Sequence, residues 1–226
     1  IHEIVERLKQ MEPIQYILGT ADFYSLQFEV DPSVLIPRPE TEELVEQVIL
    51  DNADKRIKIL DIGTGSGCIA ITLSQELPQA QVSAIDISPQ ALAIARKNAE
   101  RLGAAVDFRC QDILDSPSKE QDSPLWDIIV SNPPYICEHE REDMEENVLR
   151  YEPSQALFVP DHDPLLFYRA IGEYAVKTLK EGGRLYVEIN RAYGRETTRL
   201  FQSLGLRDVT LKKDFYDNER MIRCRK

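Results

Sequence analysis

From residue 57 onward the chain alternates short apolar runs with helical repeats, and this alternation restricts the fold more than any other feature. Ile57–Ile62, Val82–Ile85, Val106–Cys110 and Trp126–Val130 read as strands, with helices at Cys68–Leu77 and Pro89–Leu102 separating the first three. A helix at Leu165–Leu179, closed by Gly182-Gly183, precedes a strand at Arg184–Ile189; a helix at Tyr193–Leu204 precedes two closing strands, Leu206–Leu211 and Met221–Arg225. Strands joined through helices of this length pair in parallel and carry helices on both faces. The last two strands have no helix between them and are expected to pair antiparallel at one edge. The expected class is α/β, a doubly wound, seven-stranded, mostly parallel sheet with an antiparallel C-terminal edge strand.

Ahead of this core, Ala21–Val30 alternates apolar and polar residues around Ser25 and predicts a small N-terminal β-hairpin. Asp31-Pro32 and Pro37-Arg38-Pro39 impose an extended loop, because each proline fixes its own φ and turns the preceding residue away from helix. A helix is expected from about Glu40, with Leu44, Val45, Val48 and Ile49 as its apolar stripe. The first residues already have helical periodicity at Ile4, Val5, Leu8 and Met11. Residues 1–20 are therefore expected to be the end of a helical segment and a linker, and 21–226 one domain with the hairpin at 21–31. Ser116–Ser123 reads as an exposed loop.

Composition removes several function classes. The 226 residues hold 27 Lys and Arg against 39 Asp and Glu, a formal net charge of −12. Binding to bare nucleic acid or anionic lipid needs clustered positive charge, so neither is an expected partner. The four cysteines, Cys68, Cys110, Cys137 and Cys224, lack any Cys-x-x-Cys spacing and read as reduced thiols. His2, His139 and His162 are scattered without ligand spacing, so no metal is expected, and Cys137 has no neighbour in sequence that would activate it. No apolar run reaches the ~18–20 residues that span a bilayer. A soluble, cytoplasmic protein is the expectation.

The chemistry sits at strand ends. Leu60-Asp61-Ile62-Gly63-Thr64-Gly65-Ser66-Gly67-Cys68 runs from a buried strand through Gly-x-Gly-x-Gly into a helix. Such glycines let a ligand approach the backbone and leave amide N–H groups free at a helix start. The dinucleotide fingerprint would put its third glycine at position 68, which is Cys68. Asp86 ends the next strand and is placed to accept both hydroxyls of a ribose. Asp112 could accept an adenine amino group and Ile113 could pack on the ring, so the three strand ends together describe a nucleoside pocket.

After the fourth strand comes Asn132-Pro133-Pro134-Tyr135. A planar amide or aromatic amine has a delocalised lone pair and attacks a methyl group only when held in line at ~3–3.5 Å. The Asn132 side-chain oxygen and the Pro133 carbonyl can each accept one N–H of an NH₂ group, and proline brings no competing donor. Tyr135 offers a flat face to a planar amide or base.

The chain here resembles the class I S-adenosylmethionine-dependent methyltransferases, Rossmann-like enzymes. More narrowly it is similar to the protein-(glutamine-N5) methyltransferases that modify peptide chain release factors. The similarity is carried by Pro13-Ile14-Gln15-Tyr16-Ile17-Leu18-Gly19, Leu35-Ile36-Pro37-Arg38-Pro39-Glu40-Thr41-Glu42, the Gly63–Gly67 turn, Asn132-Pro133-Pro134-Tyr135-Ile136, and Tyr151-Glu152-Pro153 followed by Ala156-Leu157-Phe158. It implies S-adenosyl-L-methionine as cofactor, held by Gly63, Thr64, Gly65, Ser66, Gly67, Asp86 and Ile113, with Asp112 and Asn132 at the same pocket. It implies Asn132 and Pro133 as catalytic residues, and Asn132, Pro133, Pro134 and Tyr135 as the holders of the substrate glutamine. The sequence departs from the family where Val159-Pro160-Asp161-His162-Asp163-Pro164-Leu165 replaces a glycine-rich stretch and where Glu188-Ile189-Asn190 replaces Glu-Ile-Gly. Two other classes stay open, an N6-adenine methyltransferase using the same tetrad and a non-catalytic adenosyl-binding or dinucleotide-binding module. So does a glutamine in another translation protein, such as a ribosomal protein. Against the adenine reading stands the net charge, although Arg207–Lys226 is locally basic.

Overall fold

The structure, a computed structural model, describes residues 2–53, 55–115 and 125–226. The loop expected at 116–123 lies outside the described residues. Helices α1 (His2–Lys9) and α2 (Ile14–Leu18) lead into the hairpin strands β1 (Thr20–Phe23) and β2 (Leu26–Glu29), and α3 (Pro39–Asn52) follows the proline loop. Next come β3 (Lys58–Ile62), α4 (Cys68–Glu76), β4 (Gln81–Asp86), α5 (Pro89–Leu102), β5 (Val106–Cys110) and β6 (Trp126–Ser131). The short elements β7 (Ile136–Cys137), α6 (Glu146–Tyr151), α7 (Ser154–Leu157) and β8 (Phe158–Val159) precede α8 (Leu166–Thr178) and β9 (Leu179–Glu188). The chain closes with α9 (Gly194–Ser203), β10 (Arg207–Lys213) and β11 (Glu219–Arg225).

Seven strands form the main sheet in the order β10-β11-β9-β6-β3-β4-β5. β5, β4, β3, β6 and β9 run parallel, and β11 lies antiparallel between β9 and β10. The antiparallel C-terminal pair thus stands at the edge where the sequence places it, with the final strand one position inside. Period-2 alternation sorts the central strands between two cores. Ile59, Ile128, Val130 and Tyr186 join α3 and α4 residues such as Leu44, Val48 and Ile71 on one face. Leu60, Ile62, Ile129, Leu185 and Val187 join Tyr168, Ile171 and Phe201 on the other. Each such aliphatic side chain, buried from water, contributes roughly 1.5–3 kcal/mol.

Helix ends follow local chemistry. Pro39 and Pro89 open α3 and α5, Ser88 Oγ accepts the Ala91 N–H at 3.1 Å, and Gly103, left-handed at φ 68°, closes α5. One boundary differs from the sequence reading. α8 stops at Thr178 and the chain enters β9 at once, so Gly182-Gly183 do not close a helix. Leu179 pairs with Trp126 but Arg184 pairs with Ile128, so residues 180–183 bulge out of the ladder. Gly182 has φ 77°, and a Cβ on Gly183 would stand 2.9 Å from Lys180 O and 3.1 Å from Asp127 O.

Among the described residues no helix is long and apolar enough to cross a membrane. The strand order reverses direction at β3, with β4 on one side and β6 on the other. In open α/β sheets ligands bind outside the carboxyl ends of the strands at such a point.

Candidate active site

The turn after β3 is tied to β4 before any ligand is considered. Gly63 and Thr64 donate backbone N–H to Ile85 O at 2.9 and 3.1 Å, and Gly65 donates to Asp86 Oδ2 at 2.8 Å. Asp86 Oδ1 accepts from Ser88 N at 2.9 Å. A carboxylate oxygen has two lone pairs, so each keeps capacity for a further donor. Burial pushes the Asp86 pKa up, opposed by the backbone N–H groups of Ser88, Gly65 and Ile87. Thr64 Oγ1 donates to Asp61 Oδ2 at 2.6 Å, while the buried Asp61 Oδ1 has no partner among the described residues. Burial, and to a lesser extent the Asp86 charge, raise Asp61 to about 7.

A cavity of about 690 Å³ opens over these strand ends. Gly63 and Gly65 from the β3 turn, Asp86 and Ile87 after β4, Asp112, Ile113 and Leu114 after β5, and Asn132, Pro133 and Pro134 after β6 line it. Val34 and Leu35 of the proline loop and Pro153, Gln155 and Ala156 complete the wall. Glu152, buried, braces both of those segments by accepting from Ile36 N at 3.1 Å and pairing with Arg38. Asp112 Oδ1 accepts the Leu114 N–H at 2.8 Å, which curls Ile113 against the cavity.

The expected cofactor residues divide by position. Gly63, Gly65, Asp86, Asp112, Ile113 and Asn132 stand on the wall, whereas Thr64, Ser66 and Gly67 lie behind it. The first two are buried polar residues of the turn. Gly67 serves packing, since a Cβ there would come within 2.8 Å of Ile71 Cδ1 and 3.2 Å of Ala95 Cβ. The pocket fits S-adenosylmethionine on its own features: a strand-end carboxylate with spare acceptors, apolar Ile87 and Ile113, and open space where Gly63 and Gly65 would carry side chains.

The tetrad is held by a chain of hydrogen bonds. Asn132 Nδ2 donates to Thr41 Oγ1 at 3.0 Å, Thr41 Oγ1 donates to Glu188 Oε2 at 2.6 Å, and Tyr135 OH donates to Glu188 Oε1 at 2.9 Å. Thr41 and Glu188 are 2% and 1% exposed, so this chain is shielded from water. Ser131 Oγ donates to Ile62 O at 2.7 Å and locks the end of β6 to the end of β3. Tyr135 does not line the cavity; its ring packs on the β6–β9 core and its phenol belongs to Glu188. Thr41 and Glu188 escaped the sequence reading, although a hydroxyl in a helix's first turn and an acid ending a buried strand are signals for such a pair.

The fold also brings Cys137, His139 and Asp161 together, with donor atoms within 4.8 Å of one another. Parallel pairing of β7 with β8 sets Cys137 beside Val159 and carries Asp161 to the His139 ring at 2.8 Å. Chain spacing does not record this cluster, because the contact is made between separate strands. The thiol is buried, donates to Tyr193 OH at 3.6 Å, and has its pKa raised by that burial, the reverse of an activated nucleophile.

Fold and cavity together place the molecule among the class I methyltransferases. A methyltransferase from Pyrococcus furiosus superposes with a TM-score of 0.67 at 18% identity, covering 100% of this chain and 99% of that one. A 16S rRNA N2 G1207 methyltransferase from T. thermophilus, in complex with AdoMet and guanosine, gives 0.63 at 17% identity over 92% of this chain and 49% of that one. The family model described as methyltransferase small domain matches residues 41–154. At the sequence level, the release factor glutamine methyltransferase of Bacteroides thetaiotaomicron is 53% identical over 98% of this chain and 79% of its own length. That of Flavobacterium psychrophilum is 50% identical over 97% and 78%. The chain belongs to the release factor glutamine methyltransferase family.

Proposed function

We propose that the protein transfers the methyl group of S-adenosylmethionine to the side-chain amide nitrogen of the glutamine in the Gly-Gly-Gln loop of peptide chain release factors. The observation that carries this reading is the tethered Asn132 amide, whose Nδ2 is committed to Thr41 on the wall of the pocket that ends in Asp86. Its Oδ1 and the Pro133 carbonyl are then the acceptors for the two N–H bonds of a primary amide, which orients the nitrogen and its lone pair. Asp86, Asp112 and Ile113 would hold the cofactor, which would supply an electrophilic methyl on a sulfonium whose C–S bond electrons would stay on sulfur when the methyl passes to the amide nitrogen. The amide N–H becomes acidic only as the N–C bond forms, so Asn132 and Pro133 need only hold the nitrogen in place while its proton passes to water. Tyr135 supports the tetrad through Glu188, and Pro134 closes the wall beside it.

Residues 21–226 act as the catalytic unit, and the enzyme works in the cytoplasm, where release factors act. The net charge of −12 opposes a nucleic acid acceptor and favours a protein one. Transfer of labelled methyl to a purified release factor tests the reading, with a factor lacking the loop glutamine and adenine-containing DNA as controls. Label on the intact factor alone is the expected result, and label on DNA rejects the reading. Asn132→Ala should abolish transfer and leave cofactor affinity within about twofold, as expected for a group that aims the acceptor.

A further inference from the structure

We infer that Thr41 and Glu188 are positioning residues that set which end of the Asn132 amide faces the acceptor. Neither lines the cavity, so both act through Asn132, and the inference rests on Asn132 clamping the acceptor amide. An ionised carboxylate has no proton to give, so both hydroxyls that meet Glu188 must donate to it, from Thr41 at 2.6 Å and from Tyr135 at 2.9 Å. Thr41 has one hydroxyl proton and spends it there. Only lone pairs remain toward Asn132, so the group at 3.0 Å must be the Nδ2 amine, and Oδ1 is turned the other way. Burial pushes the Glu188 pKa up, while the Thr41 and Tyr135 hydroxyls and the Arg220 charge favour the carboxylate; in that ionised form Glu188 fixes the direction of every hydrogen bond up to the cavity wall. With the reverse direction Asn132 would present its NH₂ to the acceptor's NH₂, donor against donor.

Isosteric changes test this without touching a group on the cavity wall. Thr41→Val removes the tether, Thr41→Ser restores it, and Glu188→Gln lets an Nε2–H donate to Thr41, freeing the hydroxyl to bond Asn132 Oδ1 and turn the amide over. Expected for Thr41→Val is a fall in kcat of about 10²-fold, the scale of a misplaced reacting group. Cofactor Kd should stay within about twofold of wild type, and Thr41→Ser should return kcat to within about threefold. Glu188→Gln should fall comparably, and the double variant Thr41→Val/Glu188→Gln should be no worse than the poorer single one, because the two act on one bond chain. Should the valine variant not fold, Glu188→Gln and Thr41→Ser carry the comparison. Wild-type kcat in Thr41→Val or Glu188→Gln, a Thr41→Ser as poor as valine, or multiplicative losses in the double variant would overturn the inference. Hydrogen exchange of the Asn132 side-chain N–H, read by nitrogen-15 NMR, gives a second readout independent of turnover. Protection is expected in wild type and Thr41→Ser and its loss in Thr41→Val; equal protection in all three rejects the tether. An inactive wild type that still shows this protection pattern would sink the acceptor assignment and leave the bond chain standing.

Discussion

Gly67→Ala should weaken folding far more than it weakens cofactor binding, and Gly65→Ala should do the reverse. Gly67 sits at φ 85°, left-handed, where an L side chain costs about 1–2 kcal/mol. Its new Cβ would also stand 2.8 Å from Ile71 Cδ1 and 3.2 Å from Ala95 Cβ, so α4 and α5 must part or a side chain must leave its rotamer. Overpacking of that kind adds about 1–3 kcal/mol. The two terms make about 2–5 kcal/mol, a large share of the roughly 5–15 kcal/mol that holds a domain together. At Gly65, with φ 55° and nothing within 4 Å of the built Cβ, only the backbone cost of about 1–2 kcal/mol applies. That Cβ projects into open space at the cavity wall and should obstruct the ligand. Urea unfolding followed by circular dichroism gives the stabilities, and calorimetric titration with S-adenosylmethionine gives the affinities. A Gly67→Ala protein within about 0.5 kcal/mol of wild type, the range of an ordinary surface change, would refute the packing argument.

Asp61 should make stability fall with rising pH. Its folded pKa of about 7 lies above the unfolded 3.8, so its contribution is fully present below pH 3.8 and lost as pH rises through about 7. Between pH 5 and 8 the wild type should lose about 2–3 kcal/mol relative to Asp61→Asn in urea unfolding, and a constant difference would reject the assignment. Asp86→Asn should weaken S-adenosylmethionine binding by about 1–3 kcal/mol, the cost of degrading a hydrogen bond to a charged acceptor, and an unchanged titration would remove the ribose role. Asparagine is the better substitution here than alanine, because Asp86 also accepts from Gly65 N and Ser88 N and its loss would slacken the turn itself.

The two halves of the site differ in how far the sequence reveals them, and the difference is one of contact distance along the chain. The cofactor half is built from segments that each carry their own signal. β3, buried on both faces, reads as a nearly continuous apolar run with its glycine turn directly after it, Asp86 ends β4, and Asp112 follows the alternating edge strand β5. Local signals still mislead where one residue serves two purposes. Glycine closes helices and permits bulges alike, which is why Gly182-Gly183 resemble a helix stop and are found inside β9. Asp61 is harder to read, because a charged residue between Leu60 and Ile62 in a buried strand reveals nothing of its neighbours. The acceptor half is assembled across much larger separations. Thr41 lies 91 residues from Asn132 and 147 from Glu188, and no spacing rule spans such gaps. What joins them is the sheet order, since β6 and β9 are adjacent and Asn132 follows the end of one while Glu188 ends the other. α3 packs its buried face on that same pair of strands with its first turn at their carboxyl ends. A hydroxyl at position 41 therefore has two polar groups within reach and only one proton to give, and with that proton committed to the ionised Glu188, Asn132 offers its amine to Thr41 and its oxygen to the cavity.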